Sequence, residues 1–124
     1  MNNPIDAANA FALTFPENSW QRAAVVLMTV EACGQKNAKR IRWLTSKLVE
    51  AGYPQIRSSD FRKKVILPSR KPGTRCFICQ CRAGFYIALT KEDLQPMCDF
   101  YAKRLAKWTH KRNALTRFVE RLPL

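Results

Sequence analysis

Acidic side chains are scarce in this 124-residue chain: nine aspartates and glutamates stand against 22 lysines and arginines, a formal net charge of +13. Histidine occurs once, as His110, among basic neighbours. No two carboxylates are spaced for paired acid–base work, and neither a GxxxxGK[ST] phosphate loop nor a GxGxxG turn is present. These absences set aside the common hydrolase, kinase and dinucleotide-dependent classes. No catalytic residue and no cofactor are expected, the residual exception being a cysteine- or single-histidine-based activity. Long apolar runs are missing too. The longest, Ala23 to Met28, is far short of the ~20 residues that cross a bilayer, so no membrane association is expected. The first residues, MNNPID, lack the basic region of a signal peptide. Five cysteines, an odd number, do not suggest a disulfide framework, and reduced thiols in a cytoplasm are the expectation.

Apolar types make up 47% of the chain, enough for one cored domain and inconsistent with disorder by composition. The charge is unevenly spread. Residues 1–35 hold Arg22 against Asp6, Glu17 and Glu31, whereas residues 36–82 hold thirteen lysines and arginines against Glu50 and Asp60 alone. Residues 83–124 hold eight against four. A local surplus of this kind is the electrostatic footprint of a phosphate-binding surface, where a diffuse one would signal only solubility. A solvated face or an acidic protein partner is the competing reading.

Periodicity divides the chain. Residues 1–18 form an arm packing on the body. Pro4 can open a helix over Ile5, Ala8 and Phe11, although Phe11, Leu13 and Phe15 also alternate as a strand would. Ser19 to Cys33 reads as a helix capped by Asn18 or Ser19 and stopped by Gly34. Its stripe is Trp20, Ala23, Leu27 and Val30, and Val25, Val26 and Met28 make it apolar nearly all round. Such a helix is central to a core or faces a partner. Gln35 to Tyr53 repeats Ile41, Leu44 and Leu48, with Gly52 and Pro54 as stops. Ser58, Ser59 and Asp60 are N-cap types opening a short basic helix with Phe61 and Val65 inward. Pro68 ends it near Leu67. A basic loop then leads to a β-hairpin, Cys76–Gln80 returning as Phe85–Ile87 through Arg82-Ala83-Gly84. Thr90 and Asp93 form a capping-box pattern before a long amphipathic helix with Leu94, Met97, Tyr101, Leu105, Trp108, Leu115, Phe118 and Leu122 in one stripe. Pro96 should kink it or start it afresh, His110 to Asn113 is a candidate break, and Pro123 closes it.

A basic helix followed by a basic hairpin is the order of a winged helix-turn-helix, in which the helix enters the major groove and the wing lies along the backbone. The fold class expected is mainly α with a small β-hairpin: a winged helix-turn-helix core over 19–90 and a C-terminal amphipathic helix over 91–124. That helix is a candidate for homodimer formation. Ser59, Arg62, Lys63 and Lys64 belong to the helix, Arg70, Lys71 and Arg75 to the loop, and Arg82 to the wing tip. These are the candidate DNA-binding residues. Arg70, Lys71 and Arg82 suit phosphates, and Arg62 or Lys63, with Ser59, suits base edges. Phe61, Phe77, Phe85 and Tyr86 read as core ahead of a stacking surface for single strands.

The cysteines invite a second chemistry. Cys76, Cys79 and Cys81, with Cys98 and His110 beyond, have metal-ligand types. A Cys-x-x-Cys knuckle needs a tight turn, however, and Phe77-Ile78 reads as strand, which sends Cys76 and Cys79 to opposite faces. Small apolar side chains are the primary reading, zinc the lesser one, and no metal is expected.

The segments Ile78-Cys79, Gly84-Phe85-Tyr86-Ile87-Ala88 and Thr90-Lys91-Glu92-Asp93-Leu94 resemble a winged-helix domain of small phage and prophage DNA-binding proteins. There a basic recognition helix, a strand containing I-C, a G-(F/Y)-Y-(L/I)-A strand and a T-x-E-(D/E)-L helix start follow in this order. The resemblance covers about residues 40–122. It implies a regulatory or replication accessory protein that binds double-stranded DNA in the host cytoplasm. Two other classes stay open: an inhibitor or adaptor that turns the same basic fold against a host protein, and an RNA-binding protein.

Overall fold

The computed structural model describes residues 3–122. The chain is mainly helical, with one two-stranded antiparallel hairpin and a long C-terminal helix. It divides into two compact units, the first ending at Leu94 and the second beginning at Gln95. Among the described residues no helix is long and apolar enough to cross a membrane.

Helix α1 (Pro4–Ala12) forms because Asn3 caps it, accepting the Ile5 amide at 2.9 Å, and Pro4 pre-sets the first turn. The helical alternative for this segment is therefore the one realised. Ala8, Phe11 and Ala12 are buried, so the segment packs on the body. Helix α2 (Trp20–Glu31) is capped by Ser19 as its sequence indicates and touches α1, α3, the following broken helix and the hairpin. Its buried face is Ala24, Val25 and Met28, continued by Ala32. The expected stripe is displaced. Trp20, Ala23 and Leu27 are only partly buried and Val30 is 74% exposed. A helix apolar on all sides carries no periodic signal for its inner face, and small alanines let neighbouring elements approach closely.

The expected helix over 35–53 is shorter. Gln35–Asn37 is a 3-10 turn, and α3 (Ile41–Glu50) starts only after Arg40. Ile41, Leu44 and Leu48 face inward as their spacing requires. The backbone between α2 and α3 is used instead as a sheet neighbour. β1 (Ile78–Cys81) and β2 (Gly84–Ile87) pair antiparallel, Ile78 opposite Ile87 and Cys81 opposite Gly84. The free side of β2 then exchanges hydrogen bonds with residues 32–39: Ile87 donates to Ala32 at 2.8 Å, Gly34 donates to Ile87 at 2.9 Å, and Phe85 and Lys39 bond reciprocally at 2.8 and 2.9 Å. β2 thus lies between two neighbours. The approach is so close that a Cβ on Gly84 would collide with the Lys39 carbonyl.

The basic helix is built from α4 (Ser58–Phe61), a π-helical stretch (Arg62–Ile66) and α5 (Leu67–Ser69). Arg57, with extended backbone, is the cap residue and no side chain caps the helix, so Ser58, Ser59 and Asp60 lie inside it. Pro68 ends the regular helix without ending the helical course. Proline lacks an N–H and its ring would meet the Lys64 carbonyl in an α-turn. Here the Leu67 N–H reaches back to Arg62, a wider turn that lets the chain pass Pro68. Phe61, Val65, Ile66 and Ser69 are buried.

The last helix, α6 (Lys91–Arg121), runs without interruption for 31 residues. The capping box is present with aspartate in place of glutamate: the Asp93 amide donates to the Thr90 hydroxyl at 3.2 Å, and the Asp93 carboxylate accepts the Thr90 amide at 3.3 Å. The expected break at His110–Asn113 is absent: none of the four is Gly or Pro, and the weaker helix formers His110 and Asn113 flank Lys111 and Arg112, which favour the helix. Pro96 lies inside the helix, next to the boundary between the two units. The expected stop at Pro123 lies outside the described residues.

Candidate nucleic-acid interface

Ser59, Arg62, Lys63 and Lys64 are all exposed on the outer side of the broken helix. This follows from the inward pull of Phe61, Val65 and Ile66, each at most 1% exposed. Arg62 leans toward the hairpin, its guanidinium 5.8 Å from the centre of the Phe85 ring. The helix is tied to β1 by its last residues. The Ser69 hydroxyl donates to Ile66 at 2.6 Å and accepts the Ile78 amide at 3.1 Å, both within the buried core. Arg70 completes the clamp, its Nε donating to the Ile78 carbonyl at 2.9 Å while the guanidinium lies 5.5 Å from the Phe77 ring.

Arg70 is therefore a half-buried group engaged with the hairpin, and the phosphate-facing role its loop position suggests is not what its contacts favour. Lys71, Arg75 and Arg82 are exposed. Arg75 lines a cleft of about 360 Å³ with Asp6 and Phe11 of α1, apart from the helix contacts, whereas Arg82 occupies the hairpin turn. The structure thus joins Arg62, Arg70 and the hairpin, and sets Arg75 against the first helix.

One basic feature is absent from the sequence-derived set. Trp43 on α3 lies between two lysines, with Lys39 Nζ 5.1 Å and Lys47 Nζ 5.5 Å from the ring centre. The i,i+4 spacing of Trp43 and Lys47 on α3 was the available signal for one of them, while Lys39, ahead of the helix, is bridged to Phe85. Only one ion pair occurs among the described residues, Lys47 with Glu50 at 3.4 Å. Within residues 36–82, Lys39, Lys47, Arg62 and Arg70 lie instead over aromatic rings.

Phe61 and Tyr86 are fully buried and Phe85 is 5% exposed, so these three belong to the core, whereas Phe77 is half-buried beside the Arg70 guanidinium. The Tyr86 hydroxyl donates to the Asp93 carbonyl at 2.6 Å, and burial, aided by the neighbouring Cys79, pushes its phenol well above the usual value. Asp93 also accepts the amides of Leu89 at 2.9 Å and Gln35 at 3.1 Å. Burial alone would raise the Asp93 carboxyl, but the hydrogen bonds from Leu89, Gln35 and Thr90 outweigh it and hold it below the usual carboxylate value.

Cys76 and Cys79 are buried, Cys33 and Cys81 half-buried and Cys98 exposed, all as free thiols. Burial, with smaller effects of the Cys33 and Cys79 thiols, pushes Cys76 up to about 12, and burial raises Cys33 as well. Both shifts disfavour the thiolate that a nucleophile needs. Among the described residues no three His, Cys, Asp or Glu side chains gather to hold a metal ion. His110 is exposed on α6.

No protein-family model, curated protein or solved structure matches the chain.

Proposed function

We propose that residues 19–90 form a winged helix-turn-helix and that the chain is a non-enzymatic protein that binds double-stranded DNA. The order of elements supports the first part: α2, a sheet neighbour over 32–39, α3, the broken basic helix, and a hairpin whose second strand lies between the first strand and that neighbour. In such a domain the basic helix is the element presented to the major groove and the hairpin is the wing. The observation that carries the binding reading is the row Ser59, Arg62, Lys63 and Lys64, exposed on a helix whose opposite face is anchored in the core and to the hairpin.

Under this reading Lys71 and Arg82 contact phosphates, which fix orientation, and Arg62 or Lys63 reaches base edges. A bidentate arginine–guanine pair there contributes ~1–3 kcal/mol of discrimination. Arg70 acts indirectly, holding the hairpin against the helix. The sequence resemblance adds a phage-type regulatory or replication role in a cytoplasm. The test is fluorescence anisotropy on random duplex DNA over a salt series. Binding that weakens linearly in log–log form as salt rises supports the reading. No binding at low salt overturns it, and stronger binding to RNA or to a host protein at equal salt moves the chain to one of the competing classes.

A further inference from the structure

The last helix leaves its apolar side uncovered. Every residue from Cys98 to Leu122 is exposed, and Leu105, Trp108, Leu115, Phe118 and Val119 are each between 63% and 69% exposed. So continuous a stripe exceeds the scattered apolar residues of an ordinary surface and marks an interaction site. Its spacing is that of a heptad seam: Tyr101, Trp108, Leu115 and Leu122 recur every seven residues, and so do Met97, Arg104, Lys111 and Phe118.

The two cations in that second series decide what fits. A parallel pairing of two copies sets each seam residue against itself. It would bury Arg104 on Arg104 and Lys111 on Lys111, and would place Lys107 beside Arg112 at the edge. Buried like charges without counter-charges are strongly unfavourable. An antiparallel pairing removes all three conflicts. Tyr101 then layers on Phe118, Arg104 on Leu115 and Lys111 on Trp108, while Met97, buried in its own chain, takes no part. At the edges Leu105 meets Arg112, and Lys107 meets Ala114. No cation faces a cation. Lysine and arginine stems cover apolar surface well, and the Lys111 ammonium already lies 5.3 Å from the Trp108 ring of its own helix.

We propose that α6 pairs antiparallel with α6 of a second copy through the face carrying Tyr101, Trp108, Leu115 and Phe118. The three kinds of layer, each occurring twice about the two-fold axis between Tyr101 and Phe118, extend over ~26 Å at 1.5 Å per residue. Beyond Leu94 each helix carries seven lysines and arginines against Asp99 and Glu120. A residual long-range repulsion therefore opposes pairing, and salt screens it. Association strengthens as salt rises, the reverse of nucleic-acid binding, and it does not rest on the nucleic-acid reading.

The experiment is sedimentation velocity on the full chain under reducing conditions, at low and high micromolar concentration and at low and high salt. The expected result is a dimer favoured by concentration and by salt, and a monomer for Trp108→Glu and Leu115→Glu with unchanged thermal unfolding of the rest of the chain. Orientation is read by oxidation in a Cys98→Ser background. Tyr101→Cys mixed with Phe118→Cys yields the cross-linked dimer of the two variants, and neither variant links to itself. A monomer under all conditions, a dimer indifferent to Trp108→Glu, or self-linking of Phe118→Cys would each overturn the proposal.

Discussion

The Ser69 hydroxyl accepts the amide of Ile78 at 3.1 Å while giving its own proton to Ile66 at 2.6 Å. This buried residue joins the end of the basic helix to the first strand of the hairpin and so holds the two elements together. Replacing Ser69 with alanine leaves the Ile78 N–H buried without a partner, a loss of about 1–3 kcal/mol. Urea unfolding of Ser69→Ala should show a lower midpoint with an unchanged slope. An unchanged midpoint would mean that the hairpin holds its place without this bond.

Gly84 gives a second check on the architecture. Its φ of +134° is in the range side chains avoid, and a Cβ would strike the Lys39 carbonyl. Gly84→Ala should cost about 2–4 kcal/mol through backbone strain and overpacking together. Hydrogen exchange should speed up at the Lys39 and Phe85 amides, which bond each other's carbonyls, ahead of the amides of α3.

Asp93 sets an acid limit. Its carboxyl is held below the usual value by the amides it accepts, so the folded state favours the ionised form. That stabilisation is present above the unfolded value of about 3.9 and is lost as pH falls through the folded value. Asp93→Asn should be less stable than the wild type at neutral pH and should show a shallower loss below about pH 4. Parallel curves for the two proteins down to low pH would contradict the cap geometry. Thr90→Ala, removing the other half of the box, should cost about 1 kcal/mol.

The thiols separate by burial. In a disulfide-exchange assay on the native protein Cys98 should react at once, and Cys76 and Cys79 only at the rate of unfolding. Added zinc should leave the melting temperature unchanged. Rapid native-state labelling of Cys76, or a zinc-dependent rise in stability, would reverse this account.

Much of the fold was legible because local signals agreed. Pro4, Ser19, Gly52 and the Thr90–Asp93 pair mark helix ends at or near their sequence positions. Phe61 and Val65 face inward as their spacing requires. What escaped was tertiary. No alternation over residues 32–39 announces a sheet neighbour, because β2 recruits that segment through backbone groups alone. The inner face of α2 was hidden by its uniform apolarity, and the turn past Pro68 was hidden by a change of hydrogen-bond register that no residue type specifies. Of the candidate interface, the outward cations of the broken helix followed from sequence. The capture of Arg70 by Ile78 and Phe77 did not, since it depends on the hairpin folding back.

The central claim is that nucleic acid meets the exposed cations of the broken helix. The most direct measurement compares the salt dependence of duplex binding for the wild type, for Arg62→Ala/Lys63→Ala and for Lys103→Ala/Lys107→Ala on α6. The first pair should flatten the log–log slope by an amount on the order of 2 if both cations neutralise phosphates, or weaken specific binding if they read bases. The α6 pair should leave the slope close to that of the wild type. Equal slopes for the wild type and the Arg62/Lys63 variant, with the loss appearing only in the α6 variant, would contradict it.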